Sequence, residues 1–410
     1  MVGLVIFAGF VALIMAAGVL LSGSRLYGLI VPLIIWPLVV FKNSILGLFF
    51  SVDQLAETIP IYRAALALDF VAILIFGSFA LLRGMSWRVA NPTVILVALL
   101  VVYSGYGLAS VPATSVASYL KVFIAAYLCF KIGQTYSYGF AFFSIPALAI
   151  VIYVVAEAVA GVNTAQISFV PIKYNNPELV SNNIDISSAL STSIGDFRFV
   201  RLTGPQVHPT SFGYTLLNLL LLCALYQPRV FNFLFLFMLP ALFFSSKGAF
   251  LMAINFFILF KLMPRRLTLV YLCIMQIVTL AVASIPITSA YDHLQGLLFG
   301  LESVIRQPWG HGLGVGGNLS IGFASVQFGS ESYIGVLLHQ LGLFASLFVL
   351  GYVRLAFQVS YRRPLFLYML LLLCNATLQE EAVSLSSIVL VFFLVGYEAR
   401  GGKKRVPGCG

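Results

Sequence analysis

The chain has 410 residues, of which 61% are hydrophobic and 9% charged; 23 Lys and Arg against 13 Asp and Glu give a formal net charge of +10. A soluble core cannot hide that much apolar surface, and repeated apolar stretches of roughly 17–24 residues select membrane helices over a β-barrel. The predicted class is therefore all-α: one polytopic transmembrane helical bundle over residues 1–410, of about 12 helices, with two large outer-face loops. The positive charge sits in short loops between apolar runs, which points to membrane topology and away from nucleic acid as a partner.

The first apolar stretch, residues 3–21, lacks a positively charged start and an Ala-x-Ala cleavage pattern and reads as a retained helix. Further helices are predicted to begin near Tyr27, Arg63, Asn91, Pro112, Tyr138, Thr210, Arg229, Lys247, Leu267, Tyr333, Pro364 and Ala382, with no internal repeat. Arg83, Arg88, Lys131, Arg229, Lys261, Arg265, Arg266, Arg354, Arg362 and Arg363 fall on one side of this array. The same side carries the basic tail 399–410 with Arg400, Lys403, Lys404 and Arg405. The positive-inside rule makes that side, and the C-terminus, cytoplasmic. Counting back from there puts the N-terminus outside. The outer face then receives two polar excursions, residues 162–209 and 288–332, the turn Ser245-Ser246-Lys247 and nearly all loop acids. The five cysteines lie in apolar runs or in the tail, which indicates neither a disulfide framework nor a CxxC metal site.

Cationic groups gather at the outer ends of helices. Arg198, Arg201 and His208 precede the helix near Thr210; Lys247 opens another; Arg306, His311 and Glu331 lie in or at the exit of the second excursion. Arginine stays charged and binds two phosphate oxygens at once, so such a set can neutralise a diphosphate without a metal. The plainer reading of Arg198 and Arg201 is that they snorkel to lipid headgroups. The run from Arg306 through His311 to Gly317 is glycine-rich, which permits close approach of backbone N–H groups to a ligand or simply a flexible loop; it lacks the GxxxxGK[ST] pattern of a nucleotide site. Glu331 stands where a helix begins, a position that suits a general base and a dipole-stabilising cap equally. His339, two turns further on, reads as a buried hydrogen-bonding residue. Asp69, Lys121 and Glu157 lie inside apolar spans, where charges are costly; Lys121 paired with Asp69 or Glu157 is the expected arrangement, and a proton or ion path the alternative.

The order of these motifs resembles the bacterial O-antigen polymerase (Wzy-type) and O-antigen ligase superfamily over roughly residues 198–350. Arg201-Leu-Thr-Gly204-Pro-Gln-Val-His208-Pro209 matches an Arg-x-x-Gly-x-x-x-(His/Asn)-Pro signature, and Ser246-Lys247-Gly248 a Ser-(Arg/Lys)-Gly helix start. Pro308-Trp-Gly310-His-Gly312-Leu-Gly314 matches a glycine stretch in a large outer loop, and Glu331-Ser332 through Gly342 a His/Glu-headed helix. Ligases usually carry Arg at the Lys247 position and His at that of Glu331, which shifts the resemblance toward the polymerases.

The resemblance implies metal-independent glycosyl transfer, with no cofactor, between undecaprenyl-diphosphate-linked glycans on the outer face of the bacterial inner membrane. A chain-length regulator and a flippase would be partners beside the lipid bilayer. Arg201, with Arg198 or Arg306, would clamp the diphosphate, and Lys247 would add a point charge. Glu331 would deprotonate the acceptor hydroxyl, while His208 or His311 positions sugar. Two other expectations stand beside it: an O-antigen ligase that transfers glycan to lipid A core, and a flippase of lipid-linked oligosaccharide.

Overall fold

The structure, a computed structural model, describes residues 27, 29–49, 68–84, 92–135, 140–160, 191–194, 197–206, 208–286, 290–317 and 332–403, with isolated positions 9, 12, 13, 16 and 20. In chain order the helices are α1 (Trp36–Phe49), α2 (Leu68–Gly84), α3 (Pro92–Leu108), α4 (Ala113–Thr135) and α5 (Ser144–Ala160). Two strands follow, β1 (Ser191–Ile194) and β2 (Phe197–Val200). Next come α6 (Pro209–Tyr226), α7 (Phe231–Ser245), α8 (Lys247–Phe257), α9 (Thr268–Ala283) and α10 (Ala290–Arg306). The chain closes with α11 (Tyr333–Leu341), α12 (Ala345–Gln358), α13 (Arg363–Ala376) and α14 (Leu385–Lys403). The predicted first helix and most of the first excursion lie outside the described residues, as do 404–410 of the basic tail.

Among the described residues five stretches are long and apolar enough to cross a membrane: Ala113–Thr135, Pro209–Tyr226, Arg265–Ala283, Tyr333–Gln358 and Glu380–Arg400. Shorter apolar helices accompany them. Large apolar side chains such as Phe233, Leu236 and Phe237 on α7, or Ile274, Ile277 and Val278 on α9, are exposed, as suits helices whose outer face meets lipid. The chain is a helical membrane protein.

Three features depart from the all-α expectation with its open loops. The antiparallel hairpin β1–β2 pairs Ile194 with Phe197 and Ser191 with Val200, and the aromatic and β-branched residues Phe197, Phe199 and Val200 favour extended backbone. Residues 290–306, inside the second predicted loop, form the amphipathic helix α10. The apolar stretch Tyr333–Gln358 is also broken at Gly342, whose φ of +59 ends α11 and redirects the chain through one 3₁₀ turn into α12.

The chain divides into two compact units, Met1–Arg83 with Leu128–Ala253, and Gly84–Tyr127 with Ile254–Gly410. In the first, α6 packs on α7 and is buried along nearly its whole length, with Phe212, Tyr214 and Leu217 in the core. The carboxylate of Asp69 accepts from Lys42 Nζ at 2.7 Å, so the partner shown for Asp69 is Lys42. In the second unit, α10 lies against α11 through small residues: a Cβ on Gly300 would come within 2.3 Å of the Gly335 carbonyl, and one on Gly335 within 2.3 Å of the Gly296 carbonyl. Small side chains let helices pack backbone to backbone where no hydrophobic drive from water acts.

Candidate functional site

In the first unit, β2 runs into an extended segment that docks on the C-terminal end of α7. Leu202 N–H donates to the Phe244 carbonyl at 3.0 Å. The Arg201 guanidinium donates through Nε and Nη2 to the Ser245 carbonyl at 2.9 and 2.7 Å, and Nη2 reaches Thr210 Oγ1 at 3.4 Å. A helix C-terminus carries orphan carbonyls and partial negative charge, so a guanidinium is a fitting cap there. Ser246 then starts α8: its Oγ accepts from Ala249 N–H at 3.3 Å, and the exposed Lys247 occupies the first helical position.

Each position of the 201–213 signature has a local reason. Gly204 adopts φ +55, and a Cβ there would lie 2.2 Å from the Phe212 ring. His208 is the N-cap of α6, its Nδ1 accepting from Ser211 N–H at 3.3 Å, and Pro209 follows at the first helical position. Gly213 brings α6 against the α7–α8 corner, where an added Cβ would meet Ala249 Cβ at 2.7 Å and Ser246 Cβ at 2.9 Å. The Arg201 motif and the Ser246-Lys247 motif are thus one packed structure.

The loop between them is fixed from below. Glu157, 7% exposed near the end of α5, accepts from Thr203 N–H and Thr203 Oγ1 at 2.9 Å each and from Gly204 N–H at 2.8 Å. These donors, rather than Lys121, are the partners shown for its carboxylate. Asn43 Nδ2 and Ser44 Oγ, both on α1, donate at 2.6 Å to the carbonyls of Gln206 and Pro205.

In the second unit the glycine-rich run is ordered by hydrogen bonds to other backbone. His311 N–H and Gly312 N–H donate to the carbonyls of His339 and Gln340 at 3.1 and 3.0 Å, capping α11, and Leu313 N–H donates to Tyr103 at 2.8 Å. Gly310, Gly312, Gly314, Gly316 and Gly317 all have positive φ. Their use is close packing: a Cβ on Gly312 would lie 2.5 Å from Gly107 N, and one on Gly314 2.7 Å from Val116 N. The N–H groups of residues 311–313 therefore do not form an anion cradle, and these residues are not a loose loop.

Around that run the His311 ring stacks on His339 with centroids 4.2 Å apart and 16° between planes. Ser303 Oγ lies 2.9 Å from His339 Nδ1 and 3.4 Å from His311 Nδ1. His339 and Ser303 are buried, whereas His311 is half-buried. Arg306, 77% exposed on its side chain, pairs with Glu302 one turn back on α10. Ser332 caps the start of α11, accepting from Gly335 N–H at 3.0 Å, and donates to the Thr377 carbonyl at 2.6 Å.

Of the predicted site residues, Arg201, His208 and Lys247 share the corner in the first unit. His311 joins a histidine pair in the second unit, and Arg306 stands apart from that pair in a surface ion pair with Glu302. Glu331 lies outside the described residues, as does the side chain of Arg198, whose backbone pairs with Ser193. Sequence reasoning did not find the contact of Arg201 with Ser245, the role of Ser303 or the bond of 2.7 Å from Tyr119 hydroxyl to Glu380, because none of these carries a local pattern. No protein-family model, curated protein or solved structure matches the chain, so a functional reading rests on these residues themselves.

Proposed function

We propose that the protein is an inner-membrane polysaccharide polymerase that joins undecaprenyl-diphosphate-linked oligosaccharide repeat units on the periplasmic face. In this reading the bundle of about 12 helices has a cytoplasmic C-terminus. The observation that carries the proposal is the corner in which Arg201 caps α7 at the carbonyl of Ser245, which stands two residues before Lys247 at the start of α8. A fixed guanidinium and an exposed ammonium suit a diphosphate, whose charge grows as it leaves. Outside the cell no nucleotide activates the sugar, so the donor arrives activated, and a lipid diphosphate is both activated and anionic.

On this mechanism Arg201 and Lys247 hold the diphosphate of the donor glycan while an acceptor hydroxyl attacks its anomeric carbon. Arg198, on the strand that leads into the corner, supports the same grip, and His208 holds the start of α6. The test is surface glycan from cells carrying Arg201→Ala or Lys247→Ala. Glycan restricted to single repeat units at unchanged protein level supports the polymerase, and normal polymer from Arg201→Ala removes the central claim. Loss of all exported glycan points to a flippase, and full-length polymer left unattached to lipid A core points to a ligase.

A further inference from the structure

We infer that the second unit binds the headgroup of an anionic phospholipid, at the end where the α8–α9 turn, the α12–α13 turn and the end of α14 come together. The inference does not depend on the glycosyl-transfer reading. Hydrogen bonds join the three segments. Arg363, at the start of α13, donates through Nη2 to the Leu259 carbonyl at 2.6 Å and to the Met263 carbonyl, which fixes the α8–α9 turn against α13. Arg362 Nε donates to Glu398 Oε2 at 2.9 Å and the Tyr361 hydroxyl to the same oxygen at 3.1 Å, which fixes the end of α14 to the α12–α13 turn.

The edge so formed carries Lys261, Arg265, Arg266, Arg354, Arg362 and Arg363. Against these cations it holds one acid among the described residues, Glu398, which is 3% exposed and committed to Arg362 and Tyr361. Arg363 has only neutral carbonyls as partners, and its Nε has no acceptor. Arg265 is close enough to add repulsion between like charges. Arg265, Arg266 and Arg354 are exposed and form no ion pair among the described residues. The positive-inside bias asks only for cations in a loop; it does not require a guanidinium held by neutral carbonyls beside a second one. The uncompensated charge calls for an anion from outside the chain, and phosphate oxygens match the planar guanidinium.

Exposed apolar side chains flank these cations and select a lipid as the source of that phosphate. Leu262 and Leu267 lie in the α8–α9 turn itself, Leu269 and Val270 on the first turn of α9, and Phe357 three residues after Arg354. A soluble phosphate leaves that surface bare, whereas a phospholipid lays its acyl chains on it with its phosphate among the arginines.

The test uses the purified full-length protein in detergent, titrated with dioleoylphosphatidylglycerol, with zwitterionic dioleoylphosphatidylcholine and with glycerol 3-phosphate, and bound molecules are counted by native mass spectrometry. Phosphatidylglycerol is expected to be retained over phosphatidylcholine, and glycerol 3-phosphate at equal concentration is expected not to displace it. Arg265→Gln with Arg266→Gln is expected to weaken phosphatidylglycerol binding roughly 30-fold, the product of about 5-fold for each cation at an anionic surface. Arg265→Gln alone, the milder variant should the double one fold poorly, is expected to weaken it about 5-fold. Arg229→Gln, which removes an exposed arginine of the first unit, is expected to leave binding unchanged. Equal retention of the two lipids overturns the site, and displacement by glycerol 3-phosphate overturns the lipid as its occupant. A loss from Arg229→Gln equal to that from Arg265→Gln shows diffuse attraction to positive charge and overturns the localised site.

Discussion

The Arg201 guanidinium bridges two nitrogens onto the single carbonyl of Ser245, tying the segment that follows the hairpin to the end of α7. The cation is thus part of the scaffold as well as of the proposed site. Its two roles separate by substitution. Arg201→Lys keeps the charge, but an ammonium cannot reproduce a planar two-bond contact. The variant is expected to lose about 1–2 kcal/mol of stability, read as a lower melting temperature in detergent. An unchanged melting temperature would mean that the Ser245 contact carries no stability.

Lys42 and Asp69 form a nearly enclosed ion pair, with side chains 11% and 5% exposed. Removing one partner leaves an uncompensated charge, so Lys42→Met alone is expected to cost about 3–5 kcal/mol. Lys42→Met with Asp69→Leu together should come much closer to wild type. Denaturant unfolding of the two single variants and the double variant measures the coupling, and strict additivity would argue against the pair.

Gly335 is the contact point of α11 with α10. Gly335→Ala forces a methyl group into the Gly296 carbonyl and is expected to destabilise by about 1–3 kcal/mol, through overpacking that no rotamer relieves. Thermal unfolding followed by fluorescence tests this, and a neutral result would show that the two helices can separate at little cost.

Glu157 accepts from three donors with two oxygens. In Glu157→Gln one of those oxygens becomes an NH₂ group, which faces another donor whichever way the amide is turned. The expected loss is about 1–3 kcal/mol, concentrated in residues 203–206. Faster cleavage of that segment by added protease is the readout, and resistance equal to wild type would contradict it.

Much of the helical framework was legible. Helices expected near Asn91, Pro112, Thr210, Lys247 and Tyr333 start at Pro92, Ala113, Pro209, Lys247 and Tyr333, since a long apolar run has few other fates in lipid. α10 escaped because Asp292, Glu302 and Arg306 dilute its hydropathy; its signal was the helical spacing of Leu294, Leu298, Leu301 and Ile305. The hairpin was announced by the dipeptide Gly195-Asp196 between Ile194 and Phe197 and by the aromatic and β-branched residues of β2. His339 was read as a buried hydrogen-bonding residue and is one. The partner of Asp69 was not readable: Lys42 is 27 residues away, Lys121 fitted equally well, and only the packing of helices decides between them. The glycine run misled for a related reason, since glycines that approach a ligand and glycines that approach another backbone look identical in sequence.

The glycine run also bears on how this region opens. α11 has nine residues, fewer than the roughly 12–15 a helix needs to persist alone, and it is held by Ser332 at one end and by His311 and Gly312 N–H groups at the other. Its carbonyl caps come from a segment some thirty positions earlier in the chain, so both pieces lose these capping bonds when either one leaves. Residues 310–313 and α11 should therefore exchange their amide hydrogens as a single cooperative block, a sub-global opening in which the imidazole of His311 and the shape of its surroundings are lost together.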